Sequence, residues 1–246
     1  MGKLKLAARR MPLISPIYMA LRGLYVRFKF NLADAEPVTT DNPTEQVFTE
    51  IYRNNGWSGQ NSLSGAGSDD PQTKIILREL PALFKELEIF SILDIPCGDF
   101  YWMKKINLGK IKYIGGDIVG GLIKRNTERY ATGNVQFQKL DLIKDKLPEV
   151  DLVLCRDCLI HLSFEDMRSS LRNVCESRSK YLLTTTYVNR TENQDIQTGG
   201  FHPINLEIAP FNLGRPEKVI TEGCMEFDGI YQDKSLGLWK IADIKL

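Results

Sequence analysis

The sequence predicts an open α/β fold whose sheet carries a ligand at the carboxyl ends of its strands. Three observations predict it. The stretch Ser91-Ile92-Leu93-Asp94-Ile95-Pro96-Cys97-Gly98-Asp99-Phe100-Tyr101-Trp102-Met103 is an apolar run that closes on an acid and a glycine-containing turn, as a buried strand does where it meets a ligand. Asp117 closes a second apolar run, Ile111 to Gly116, and Asp141 a third, Val135 to Leu140. Successive acids at positions 94, 117 and 141 are thus 23 and 24 residues apart, and one nucleoside-type ligand can span such ends.

The elements follow in order. Residues 1–33 hold seven Lys or Arg and no acid. Apolar residues such as Leu13, Ile17, Leu24 and Phe28 are mixed among them, and the longest uncharged run, Met11 to Leu21, is too short to span a bilayer. Residues 1–30 read either as an amphipathic anchor lying on an anionic membrane surface or as a helical extension packing on the body or a partner. Asn31 to Pro43, with Asp34, Glu36, Pro37 and Asp41, reads as a linker. This divides the chain into a basic extension with its linker, residues 1–43, and one domain, residues 44–246.

Thr44 to Tyr52 predicts a short helix, and Asn54 to Ser68 a flexible Gly- and Ser-rich loop that carries Trp57. Asp70-Pro71 starts a helix with Ile75, Ile76, Leu80, Leu83, Phe84 and Leu87 on one stripe, bent or restarted at Pro81. Val150 to Cys155 is a fourth strand. Ser163 caps a helix with Met167, Leu171 and Val174 facing inward. Tyr181 to Tyr187 is a fifth strand, favoured by the branched run Thr184-Thr185-Thr186. Val188 to Pro216 carries too much Asn, Gly and Pro for a crossover helix and reads as a long functional loop that touches substrate through Asn189 or His202. Lys218 to Thr221 and Leu236 to Ile241 supply two last strands.

The ordered set Asp94, Gly98, Asp117 and Asp141 resembles a class I S-adenosylmethionine-dependent methyltransferase. The resemblance implies a Rossmann-like three-layer sandwich whose seven-stranded, mostly parallel sheet ends in an antiparallel strand. It implies S-adenosylmethionine as cofactor, with Asp94 and Gly98 facing its methionyl part, Asp117 holding the ribose hydroxyls and Asp141 binding the adenine amine. Cys97, Asp99, Ile118, Leu142 and Arg156 complete the cofactor set. The loop before the sheet is similar to the family's lid and offers Trp57, Ser64 or Ser68. The family's turn is acid-x-Gly-x-Gly-x-Gly. Here Pro96 and Phe100 stand where two glycines are usual, and Phe100 adds bulk where the cofactor's amino-acid end would sit.

A nicotinamide-binding sheet shares this architecture but needs G-x-G-x-x-G, whose glycines admit a pyrophosphate to a helix N-terminus. This turn offers one glycine and two carboxylates, Asp94 and Asp99, which repel a dianion and favour a ligand bearing an ammonium and a sulfonium. At 246 residues and 43% hydrophobic content the chain buries one sizeable core. Net charge is +1, yet without the first 33 residues 25 basic groups face 31 acidic ones, so the body is mildly acidic. That argues against a nucleic-acid substrate. Five cysteines without an apparent secretory signal predict reduced thiols in the cytoplasm. Cys155-x-x-Cys158 is a single pair and, even with His161 near, predicts no zinc site.

A hydroxyl acceptor needs a base at neutral pH, whereas a neutral amine needs chiefly positioning. His161 is one of two histidines and stands just past the fourth strand. It is the candidate general base, with Asp157 four residues earlier as its orienting partner if the segment turns helically. The polar loops predict a small-molecule or sugar-like hydroxyl acceptor. The alternatives are N-methylation of an amine or protein side chain, and a non-catalytic partner subunit.

Overall fold

A computed structural model describes residues 40–246. The basic segment, most of its linker and the membrane-contact reading of residues 1–30 lie outside the described residues. The first helix, α1 (Pro43–Asn54), is capped by Asn42, whose side chain accepts from the Thr44 amide, and ends at Asn55 in the left-handed region. The second, α2 (Asp70–Glu86), continues through Pro81 without restarting there. Pro81 itself is exposed, and its missing amide leaves one helical carbonyl without an intrahelical partner.

Next come β1 (Ser91–Asp94), β2 (Lys112–Asp117), α3 (Gly120–Tyr130), β3 (Val135–Lys139) and β4 (Leu152–Cys155). The chain closes with α4 (Phe164–Glu176), β5 (Tyr181–Tyr187), β6 (Lys218–Thr221) and β7 (Lys234–Lys240). The seven strands form one sheet in the order β3-β2-β1-β4-β5-β7-β6. β1 to β5 run parallel, and β7 lies antiparallel between β5 and β6. This is the three-layer α/β sandwich with an antiparallel last strand that the sequence predicts. No helix among the described residues is long and apolar enough to cross a membrane.

Side chains alternate along each strand, so the central strands feed two cores. Ile92, Leu152 and Leu154 pack with Leu80, Leu83 and Phe84 of α2 and Ile123 of α3. Leu93, Val153 and Leu182 pack on the other face with Met167, Leu171 and Val174 of α4. Each such side chain, fully withdrawn from water, contributes roughly 1.5–3 kcal/mol. All strands from β1 to β5 end on one edge of the sheet, and the antiparallel pairing Tyr187↔Lys234 brings the start of β7 to the same edge.

The segment between α1 and α2 is not a flexible loop. The Asp69 carboxylate accepts from the amides of Gln60, Asn61 and Ser62 at 2.8, 2.7 and 3.0 Å. The Asp99 carboxylate accepts from the Ser62 hydroxyl, the Leu63 amide and the Ser64 hydroxyl at 2.8, 2.8 and 3.3 Å. Gly and Ser content signals freedom in an isolated chain, but here two carboxylates take up the backbone donors that water would otherwise hold. Asp69→Ala is expected to raise amide exchange at residues 60–62 roughly tenfold or more relative to α2, read by hydrogen–deuterium exchange, because three donors lose one charged acceptor.

Candidate active site

The sheet edge opens into a cavity of about 1040 Å³, its mouth included. Every residue assigned above to the cofactor lines it, and so do Asp157 and His161. The turn after β1 forms its floor. Gly98 has φ +54° there, and a Cβ on it would come within 2.1 Å of the Ser64 hydroxyl, so only glycine lets the preceding segment close on the turn. Its amide donates to Asp117 at 3.1 Å, and its carbonyl accepts from Asn126 at 2.8 Å. Phe100 also has a positive φ, +58°, and its ring is buried with Tyr113, Tyr130 and Phe137. The bulk expected beside the cofactor's amino-acid end therefore lies in the core and not in the cavity.

The three strand-end acids differ in their surroundings. Burial pushes the Asp94 carboxyl up to about 7, against the bond from the Tyr113 hydroxyl at 2.6 Å and the charge of Arg156. Burial likewise raises Asp117 to about 6, although its two oxygens accept from the Val119 and Gly98 amides. Both carboxyls hold protons in the fold at pH values where the unfolded chain has lost them. Stability therefore falls as pH rises from about 4 to about 7, and the cost is full above that. Asp141 receives the Ile143 amide and the Asn42 side chain, each at 2.9 Å. Asn42 thus caps α1 and ties it to the end of the third strand, a role that no local pattern reveals.

Asp99 and Arg156 line the cavity but are already engaged. Asp99 docks the Ser62–Ser64 segment, as described. Arg156 is bound by Glu222 at 3.0 and 2.6 Å, by the Gly67 carbonyl at 2.8 Å and by Asp157 at 3.2 Å. Lys234 donates to Asp157 at 2.6 Å and forms a looser ion pair with Glu222 at 3.7 Å. Two cations and two anions balance in this buried quartet. Burial alone would raise the Asp157 carboxyl, but Arg156 and Lys234 outweigh it and hold the group far below the usual carboxylate range. Glu222 and Lys234 come from the far side of the sheet order, and spacing in the sequence gives no sign of their meeting.

Asp157 does not orient His161. It has φ +52°, and the chain then makes a short 3-10 turn, Leu159–His161, so the two side chains do not share a helical face. His161 Nδ1 instead lies 2.7 Å from the Gly200 carbonyl. A carbonyl only accepts, so Nδ1 carries the proton. Burial lowers the basicity of the half-buried ring, the Gly200 bond and Asp157 partly offsetting this, and the ring is neutral at neutral pH with its lone pair on Nε2. Trp57 stacks on it, centroids 4.7 Å apart and planes at 27°.

The long loop after β5 is the source of the Gly200 carbonyl, but Asn189 and His202 do not line the cavity. The Asn189 amide donates to Asp233 at 3.2 Å, and its side chain is exposed. His202 is buried, with Nδ1 2.5 Å from the Gln194 carbonyl and its ring stacked on Phe164, which leaves no face for an acceptor. The Gly199 and His202 amides donate to the carbonyls of His161 and Ile160 at 2.8 and 3.0 Å. The loop thus braces the turn that carries His161. Removing one member of the ion quartet strands a buried charge, so Glu222→Leu is expected to cost about 3–5 kcal/mol in denaturant unfolding.

No protein-family model and no curated protein matches the sequence. Solved structures do share the architecture. Human N-acetylserotonin methyltransferase, in complex with S-adenosylmethionine, aligns with a TM-score of 0.56 at 15% identity, over 92% of this chain and 67% of that one. The methyltransferase domain of a bacterial Hen1 protein aligns with a TM-score of 0.52 at 11% identity, over 69% of this chain and 98% of that one. With its strand order, its antiparallel last strand and its cavity at the parallel strand ends, the chain has the class I S-adenosylmethionine-dependent methyltransferase fold.

Proposed function

We propose that the protein is an S-adenosylmethionine-dependent methyltransferase that methylates a hydroxyl of a small-molecule or sugar-like acceptor, with His161 as general base. The observation that carries this reading is a neutral imidazole, its Nδ1 proton committed to Gly200, in the same cavity as Asp94, Asp117 and Asp141. The donor set suits the cofactor. Carboxyls at Asp94 and Asp117 favour a cationic ligand and disfavour a pyrophosphate. The Asp117 oxygens each accept one amide and keep a lone pair for a vicinal diol. Ile118 and Leu142 give apolar walls to a purine, whose amine Asp141 accepts. Five free cysteines fit a reducing, cytoplasm-like compartment.

When bound, S-adenosylmethionine would supply a sulfonium methyl to the acceptor oxygen, the new C–O bond replacing the C–S bond, whose electron pair stays with sulfur. His161 Nε2 takes the hydroxyl proton, and the nearby Asp157 carboxylate favours the imidazolium that results. Trp57 and the segment behind it keep water from the ring.

Calorimetric titration with S-adenosylmethionine, S-adenosylhomocysteine and NADH tests the cofactor, with micromolar binding of the first two only as the expected result. His161→Ala is expected to lower methyl transfer to a hydroxyl acceptor 10²–10⁴-fold while cofactor affinity stays within about twofold. Retained transfer in that variant removes the base assignment. Since the Asp94 carboxyl is protonated below about 7, an ammonium ligand has to displace that proton. Affinity for S-adenosylhomocysteine is therefore expected to rise with pH between 5 and 7 and level off, with proton release seen in buffers of different ionisation enthalpy. Asp94→Asn is expected to weaken that dependence, leaving only the part that Asp117 contributes nearer pH 6, and to melt a few degrees higher than the parent at pH 8 without ligand.

A further inference from the structure

Trp57 does more than close the cavity. Its indole lies nearly parallel to the His161 ring at 4.7 Å, well inside the distance at which a cation feels the negative face of an aromatic system. Phe201 also flanks His161, but at 5.9 Å and tilted by 51°, so Trp57 is the ring that presents its face. Trp57 is itself fixed from two sides. Its carbonyl accepts from the Ala66 amide at 3.4 Å, and Phe48 of α1 packs on it with centroids 6.0 Å apart. The segment that carries it is docked on the turn after β1 by Asp99, and Ser64 of that segment lines the cofactor cavity.

We propose that Trp57 is a positioning residue for His161, holding the ring on the Gly200 carbonyl and stabilising the imidazolium formed when Nε2 takes the acceptor's proton. This rests on the reading of His161 as general base. The charged groups facing His161 bear on it as well. Asp157 beyond β4 favours the imidazolium, while Lys234 of β7 and His202 of the long loop oppose it. Arg156, Glu222 and Glu226 surround the Asp157–Lys234 pair. Trp57 contributes a neutral face that attracts the cation without competing for its proton. Because the same segment is pinned to the cofactor turn, the strength of the base is tied to the integrity of the cofactor site.

With two histidines in the chain, a proton NMR titration of the ring resonances reads His161 directly and needs no acceptor, His161→Ala supplying the assignment. Trp57→Leu keeps an apolar cover and removes the aromatic face, and its His161 midpoint is expected to fall by about half a unit. Trp57→Phe, the milder variant should the first not fold, is expected to fall by less. The acid limb of the kcat profile is expected to move by the same amount in each. An unchanged or raised His161 midpoint in both variants overturns the proposal, since a mere cover, once loosened, hydrates the ring and raises it. If the midpoint falls but His161→Ala retains methyl transfer, the base reading fails and the Trp57–His161 coupling stands.

Discussion

The cavity depends on one junction, the docking of the Ser62–Ser64 segment onto the turn after β1. The Asp99 carboxylate takes two hydroxyls and an amide from that segment, and its own amide returns a bond of 2.9 Å to the Ser64 hydroxyl. The absence of a side chain at Gly98 is what lets Ser64 come so close. Everything on the near side of the cavity follows from this. The segment places Trp57 on His161, Leu63 against Tyr52, Val119 and Leu122, and the Gly67 carbonyl on Arg156. Without it the strand ends would form an open crevice with the candidate base exposed.

Charge in the site is divided between two environments. Around the turn, burial raises the carboxyls at Asp94 and Asp117, a cost that a cationic ligand would relieve. Beyond β4 the quartet of Arg156, Asp157, Lys234 and Glu222 is internally neutral and keeps Asp157 ionised. The first arrangement suits ligand capture, because its energy improves on binding. The second suits a fixed framework, since each charge already has its partner and any loss is severe.

The long loop after β5 reaches the cavity only through the turn that carries His161. Two of its amides hold the carbonyls of Ile160 and His161, and one of its carbonyls holds the imidazole. Asn193 braces the loop internally through the Asn205 and Ala209 carbonyls. With Nδ1 held by the Gly200 carbonyl the ring is fixed in one tautomer, which is what the proposed role of His161 as base requires of this segment.

The strand ends were legible in the sequence because their signal is local. An apolar run and its terminal acid are neighbours in the chain, so Asp94, Asp117 and Asp141, the caps at Ser163 and the branched strand at Thr184–Thr186 could be read without knowing what packs where. His161 was visible for its chemistry alone. Its partner was not: four-residue spacing pointed to Asp157, but a positive φ and a 3-10 turn separate the two, and the bond goes to a backbone carbonyl 39 residues on. The rigidity of the segment before the sheet, the turning of Phe100 into the core, and the meeting of Glu222 and Lys234 with Arg156 all rest on contacts between distant parts of the chain. The sequence by itself determined the order of the strands' acids and hence the class of ligand site, for that information lies within each strand. Tertiary structure decided which charges are paired, which nitrogen of His161 is free and which ring covers it, because each depends on where the sheet brings separate segments together.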